Sequence, residues 1–439
     1  MSRLETLAVP EQNDWQEPEE ELLQAKHRRF SALLSGSLVM LIGSGLVSLV
    51  NFGFNVAMAR MLGPAAFANV TAAVTLLMLF SAVTLSFQLV AAKFVALNDT
   101  LPEKVGVYRG LVRRSWVVSI LLGTALALLS VPVAGYLRIS EPWQMVVLAT
   151  GIAFYMPLGV KRGAMQGLCK FGRLSANFLV EAAVRAVAAV SLVALGYGVA
   201  GAIGAISASV FVAFLIPSGF AKTRSCTPQN RASFGEGMQA TVFFVGQVVI
   251  NNIDIIMVKH FFAASDAGMY AAVALVGRVL YYAAWSVVSA MFPISAAAKH
   301  EEQRSRVLGL PLLVVAVISG IAIVALAMFS GPVVRIIFGA SFHQAEPLLW
   351  LYAATTGLYA LSVVMMAYEM SRKIANTGWL QLLISGITIA GITLFHQTLH
   401  QVIVVQLVLM VVLLFLVSLP FLRGSRNKQE NSFQLEEAA

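Results

Sequence analysis

From residue 31 to residue 422 the sequence is a succession of apolar runs, each long enough to cross the hydrocarbon of a lipid bilayer. Inside hydrocarbon no water is present to satisfy backbone N–H and C=O groups, which removes most folds from consideration. The pattern specifies an all-α membrane protein. Twelve spans are predicted, near 31–59, 67–92, 115–137, 143–160, 175–195, 198–220, 238–260, 268–292, 307–330, 347–368, 376–395 and 401–422. Each is roughly 18–26 residues, enough for a core of about 30 Å with some tilt. Composition agrees: 59% of the residues are hydrophobic and only 12% are charged, about half the charged share of a soluble domain.

The basic residues set an orientation. With the N-terminus inside, the inner segments hold 24 of the 30 Lys and Arg, among them Lys93, Arg113, Lys161, Arg162, Lys170 and Arg173. The outer segments hold Arg60, Arg138, Lys259 and Arg335. This asymmetry predicts that both termini are cytoplasmic. It also accounts for the net charge of +9 without a nucleic acid partner. The first thirty residues are polar and acid-rich (Glu11, Asp14, Glu17, Glu19, Glu20, Glu21), unlike a cleavable signal peptide, so the first span itself is expected to start insertion.

The expected organisation is a disordered cytoplasmic tail (1–30), an N-lobe of six spans (31–220), a linker (221–237, "AKTRSCTPQNRASFGEG"), a C-lobe of six spans (238–422) and a second tail (423–439). Shifting the first half by 200 positions lays "NFGFNVAMARMLGPAAFANVTAA" over "NNIDIIMVKHFFAASDAGMYAAV", so that Asn51 meets Asn251 and Arg60 meets His260. A six-span unit returns the chain to its starting side, and two copies would run parallel. Cys169 and Cys226 lie far apart without metal-ligand spacing, so neither a disulfide nor a metal site is expected. No nucleotide-binding fingerprint is present. Any transport would draw on an ion gradient (H+ or Na+), the membrane potential, the cargo's own gradient or a separate partner. No cofactor is expected.

Polar groups inside spans are costly and are the candidates for function. Gln247, Asn251 and Asp254 share one helical face within "QVVINNIDIIMVKHFF". They are either an interhelical hydrogen-bond clamp or an ion or proton site. Arg278 lies about ten residues into its span. It either pairs with Asp254 or grips an anion with its planar fork. Glu181 and Arg185, at i and i+4, suit an intrahelical pair. Yet Arg185 is as deep as Arg278, so each half holds one arginine near the midplane, as a shared cationic cavity would require. His396 and His400 have no third ligand in sight and are expected to be interfacial. Pro132 and Pro157 can loosen their helices, and Gly201, Ala205 and Ser209 form a small-residue packing face.

Three stretches carry a family resemblance. "LIGSGLVSLVNFGFNVAMARMLGPAAFANV" resembles the opening span and turn of the polysaccharide-biosynthesis (Wzx-type) oligosaccharide flippases, members of the multidrug/oligosaccharidyl-lipid/polysaccharide (MOP) exporter superfamily. Residues 161–205 are similar to that family's fourth-to-sixth span region, and residues 251–293 to its seventh and eighth spans. The resemblance implies a V-shaped, MATE-like transporter of six plus six helices working by alternating access, and not an enzyme. The implied cargo is a polyprenyl-diphosphate-linked oligosaccharide, moved across a bacterial cytoplasmic membrane for envelope or exopolysaccharide assembly. Membrane lipid and polysaccharide assembly enzymes are the implied partners.

Arg185 and Arg278 are the positions that match the family's cationic cavity and would bind the diphosphate. Asp254, with Asn251 beside it, is the candidate coupling group, and Glu181 is grouped with them. One departure is the first turn, where Ala66 and Ala68 replace the family's acid and glycine; Asp266 and Gly268 keep that pattern in the second half. Three rivals remain open, one of them a non-transporting membrane scaffold, which would need neither mid-span arginine. A multidrug or organic-cation exporter should favour acids in its cavity, and a sugar polymerase or ligase usually needs a larger outer loop than 331–346.

Overall fold

The computed structural model describes the backbone of residues 17–217, 220, 226–228, 230, 234–297, 301–371 and 377–437, and the side chains of a narrower set that starts at Leu38. Arg3, Lys222, Arg224, Arg231, Lys299, Arg372 and Lys373 lie outside the described residues. So do the side chains of Lys26, Arg28, Arg29, Arg304, Arg306, Arg423, Arg426 and Lys428.

Helices account for almost all of what is described: α1 (Glu17–Leu97), α2 (Leu101–Leu128), α3 (Ser130–Tyr136), α4 (Trp143–Gly167), α5 (Phe171–Leu192), α6 (Gly198–Leu215), α7 (Phe234–Phe261), α8 (Ala264–Ala297), α9 (Glu301–Ile337), α10 (Leu349–Ser371), α11 (Thr377–Leu394) and α12 (Leu399–Glu437). Among the described residues, nine helical stretches are long and apolar enough to cross a membrane. This is a multi-pass membrane protein. Two stretches are too long for one pass. Leu38–Leu97 has 60 residues, about 90 Å at ~1.5 Å per residue. It bends at Gly63, whose φ of 74° and ψ of 173° leave the helix. Only glycine takes that conformation without steric cost, and Pro64 starts the second limb, where a missing N–H is harmless. Phe171–Leu215 has 45 residues and breaks at Gly196, φ 92°. Divided there, the nine stretches give eleven segments of the described chain long enough to cross. A shorter apolar helix, Gly378–Leu394, stands beside them.

Several boundaries differ from the sequence reading. Most of the polar segment 98–114, which falls between the second and third predicted spans, forms the first turns of α2, and only 98–100 connect it to α1. Thr100 and Glu103 form a capping box there, with Glu103 Oε2 accepting from the Thr100 N–H at 3.2 Å. Helix α1 begins at Glu17, inside the predicted tail, where strong helix formers continue the pattern. Helix α12 likewise runs on to Glu437. The fourth span extends to Gly167, which draws Lys161 and Arg162 into the helix.

Packing divides the helices into two groups. Helix α4 packs on α1, α2 and α6, and α5 packs on α1 and α6; α10 packs on α8, α9 and α12, and α7 on α11. Between the groups the main contacts are those of α1 with α7 and α8. Within the first group a glycine ladder sets the closest approach. A Cβ added to Gly159 would stand 2.6 Å from the Thr84 carbonyl oxygen, and one added to Gly167 would stand 2.6 Å from that of Ala92. At Gly163, between them, the obstacle is the backbone carbonyl of Gln88. Four-residue spacing puts all three on one face of α4, so the helix lies almost backbone to backbone on the second limb of α1.

Three apolar cores result. The largest takes Phe54, Met58 and Phe67 from α1, Met145 and Ile152 from α4, Val258 and Tyr270 from α7 and α8, and Phe338 and Phe342 beyond α9. It joins both groups around the Gly63 end. At the opposite end the cores are separate. One is built from Val90, Phe94, Leu111 and Ala164, the other from Ala284, Val363, Met366 and Leu413.

Two substitutions separate the ladder from ordinary glycine effects. Gly163→Ala should lower the unfolding midpoint of the detergent-solubilised protein by several degrees, because overpacking costs about 1–3 kcal/mol. Gly204→Ala adds a Cβ that meets nothing within 4 Å and should leave the midpoint unchanged. Equal behaviour of the two would show that the ladder is not a tight contact.

Candidate functional site

Helix α5 carries a polar stripe, Asn177, Glu181 and Arg185, at successive four-residue steps, and all three are buried. Arg162 of α4 enters this stripe. Its Nε donates to Asn177 Oδ1 at 2.7 Å, its Nη2 donates to Glu181 Oε2, and its guanidinium lies 4.0 Å from the Phe178 ring centroid. Asn177 in turn donates to the Ala213 carbonyl of α6 at 2.8 Å. Arg185 Nη2 donates to the other oxygen of Glu181, and its Nη1 reaches Asn51 Oδ1 of α1 at 3.3 Å. One carboxylate thus holds two guanidiniums. Sequence reasoning placed Arg162 in an inner connection and missed it. The signal was present in Asn177, which extends the Glu181–Arg185 stripe by one turn and calls for a buried partner.

In the second group the stripe Gln247, Asn251 and Asp254 of α7 turns toward its own neighbours. Asp254 Oδ2 accepts from Tyr270 Oη of α8 at 2.9 Å and from Tyr352 Oη of α10 at 2.8 Å. Tyr270 Oη also accepts from Gln406 Nε2 of α12 at 2.9 Å. Asn251 Nδ2 donates to Tyr359 Oη at 3.0 Å, and Gln247 Nε2 donates to Tyr281 Oη at 3.0 Å. Arg278 Nη2 donates to the Asn251 carbonyl at 2.6 Å and lies 3.6 Å from Asp254 Oδ1. The amide nitrogens of Gln247 and Asn251 and one oxygen of Asp254 are therefore met by phenols on adjacent helices, as in a clamp. Asp254 Oδ1 and Arg278 Nε have no hydrogen-bond partner. Both residues border a cleft of about 30 Å³, completed by Thr355, Thr356 and Gln406, which has room for water.

The structure thus joins Glu181 to Arg185, and Asp254 and Asn251 to Arg278. The two arginines belong to separate clusters, one in each helix group. Their side chains keep 11% and 14% exposure, so each is open at one edge. Among the described residues no three His, Cys, Asp or Glu side chains are grouped to hold a metal ion. His396 instead stacks on Phe261, centroids 4.0 Å apart.

At the Gly63 end the two groups are tied together. Arg60 Nε donates to the Ile337 carbonyl at 2.8 Å and its Nη2 to that of Ile336, so it caps the C-terminus of α9. His260 Nδ1 donates to the Tyr136 carbonyl at 2.8 Å, and the two rings stack at 4.0 Å. Partial burial raises the Tyr136 phenol above its ordinary value. A Cβ on Gly268 would run into the Pro64 carbonyl. That glycine is where the two equivalent turns meet.

The sequence profile of the polysaccharide biosynthesis protein family matches residues 57–347. The chain belongs to that family. No curated protein matches it in sequence. Solved structures match this chain in fold. A multidrug resistance MATE family transporter of the MOP superfamily, inward-facing, superposes with a TM-score of 0.66 at 14% identity, over 90% of this chain and 99% of that one. An outward-facing conformation of such a transporter gives 0.59 at 16% identity, over 91% and 96%. The lipid II flippase MurJ in an inward closed conformation gives 0.72 at 12% identity, over 88% and 87%. At such identities the likeness establishes the fold alone, a MATE-like one.

The second cluster predicts a stability pattern. Asp254→Ala leaves the Arg278 charge buried without its carboxylate and should cost about 3–5 kcal/mol, read as a lower unfolding midpoint in detergent. Removing both charges, as Asp254→Leu with Arg278→Leu, should be less damaging than Asp254→Ala alone. A double variant as unstable as the sum of its singles would dissolve the pairing.

Proposed function

We propose that this protein is a flippase that carries a lipid-linked oligosaccharide across a bacterial cytoplasmic membrane by alternating access. The observation that carries the reading is the buried, net-positive cluster Arg162–Glu181–Arg185 in a member of a polysaccharide biosynthesis family. A sugar diphosphate cannot enter hydrocarbon unless its hydration is replaced, and guanidinium forks match phosphate oxygens. The polyprenyl tail stays in the bilayer while the headgroup passes between the lobes. Arg185 and Arg278 are the phosphate-gripping residues of the proposal. An organic-cation exporter should favour acids in its cavity, whereas the acid of the first cluster, Glu181, is held by two arginines.

The lobes are residues 31–220 and 238–422, joined by 221–237, with both termini in the cytoplasm. In that orientation the Gly63 end faces outward, and the separate cores at the other end make this conformer inward-facing. The better superposition on the inward-facing transporter than on the outward-facing one supports this. Asp254, backed by Asn251, serves as the coupling group for H+ or Na+, since one of its oxygens faces the small cleft without a hydrogen-bond partner. Glu181 gates by holding or releasing Arg185. Polysaccharide assembly enzymes supply and receive the cargo, and the protein itself performs no covalent chemistry.

Proteoliposomes loaded with a fluorescent polyprenyl-diphosphate sugar test the reading, with leaflet exchange scored by quencher accessibility. Wild type should accelerate exchange over empty liposomes. Arg185→Ala should slow it by about 10-fold or more, the loss of a charge-assisted hydrogen bond. Asp254→Asn, at equal abundance, should abolish its dependence on an ion gradient. Exchange no faster than in empty liposomes would end the proposal.

A further inference from the structure

The buried charges of the first helix group do not balance. Arg162 and Arg185 converge on Glu181, with side-chain exposures of 4%, 11% and 7%. The second group is different, because Arg278 and Asp254 stand one to one. The two arginines of the first group are also unlike each other. Arg162 is held from three sides, by Asn177, Glu181 and the face of Phe178. Asn177 is itself anchored to α6. Arg185 has Glu181 and a 3.3 Å contact to Asn51, while its Nε is buried without a hydrogen-bond partner.

We infer that Arg162 is a positioning residue for anion binding: it takes up the charge of Glu181 and so leaves the charge of Arg185 to the cargo's diphosphate. Arg162 never touches cargo. Without it, Glu181 and Arg185 form an isolated, neutral pair in a low-dielectric setting, and the carboxylate keeps the guanidinium. The quantity that grips the anion is therefore the charge sum of the cluster, not the presence of Arg185 alone. Asn51 adds to this, because it accepts from Arg185 on the helix that packs against both groups. The inference rests on the cargo being a lipid diphosphate, and the experiment separates the two ideas.

The full-length protein, purified in detergent, is titrated with geranylgeranyl diphosphate by calorimetry. Arg162→Gln should weaken binding by about 10- to 100-fold, the range for a charged hydrogen bond. Arg162→Lys keeps the charge and should stay within a few-fold of wild type. Arg162→Gln combined with Glu181→Gln should recover most of the affinity, because the cluster regains the single net positive charge it has in wild type. Glu181→Gln alone leaves two uncompensated guanidiniums and should bind more tightly than wild type; this arm reads the charge sum even if Arg162→Gln fails to fold. Unchanged affinity in Arg162→Gln overturns the inference, as does a double variant no better than Arg162→Gln or a Glu181→Gln variant that binds no more tightly. In each of those cases wild-type binding leaves the flippase reading standing. Absence of binding by folded wild type would remove both.

Discussion

A charge taken into hydrocarbon must bring its partner with it. No water is there to replace a lost hydrogen bond, and moving an unpaired ion inward is far more costly than any single packing contact is worth. The helices follow from the same rule applied to the backbone. The side-chain arrangement follows from it too. Asn177, Glu181 and Arg185 of α5 and Gln247, Asn251 and Asp254 of α7 each meet a partner on a different helix, and those partners hold the helices face to face. Asn177 reaches α6, Asn251 and Asp254 reach α10, and Gln247 reaches α8.

The two helix groups meet this demand unequally. Asn51 and Asn251, 200 positions apart, both accept from a buried arginine. The first does so through its side chain to Arg185 of α5, the second through its backbone to Arg278 of α8. The second cluster is neutral and dense with tyrosine hydroxyls, a clamp with one open oxygen. The first is cationic and braced by amides. Equal numbers of midplane arginines therefore do not mean equal fields, because the acids differ in how many guanidiniums they serve.

Much of this was legible in the sequence. The apolar runs predicted an all-helical membrane protein, and the polar stripe on α7 predicted buried partners. The Glu181–Arg185 spacing predicted their pair. What failed was depth. Arg162 looked like an inner-loop residue because Lys161 precedes it and a polar segment follows, and hydropathy ends a span where charges begin. A buried arginine is invisible to that rule when its partners, Asn177 and Glu181, lie on another helix. The tyrosines were hidden for the opposite reason. Tyr270, Tyr352 and Tyr359 read as ordinary apolar filling until the fold turns their hydroxyls to the α7 stripe. The 98–114 segment misled in the same way as Arg162, since amphipathic helix at the edge of a bilayer has the composition of a loop.

The ties at the Gly63 end differ in kind from the interior clusters. Arg60 and Arg138 are exposed, and the carbonyls they reach, those of Ile336, Ile337 and Phe262, lie at helix ends. When such contacts part, water can take over both donor and acceptor, so each adds little net stability. Nothing comparable can replace Arg162 on Glu181 or Tyr352 on Asp254. A motion that separates the groups at this end therefore breaks the replaceable contacts and leaves the irreplaceable ones inside their own groups. The apolar core around Phe67 and Phe342 is the larger obstacle, and it lies on the same seam. The least costly large motion available to this chain is thus a rigid rocking of two bundles about α1, α7 and α8, with each buried charge carried along beside its partner.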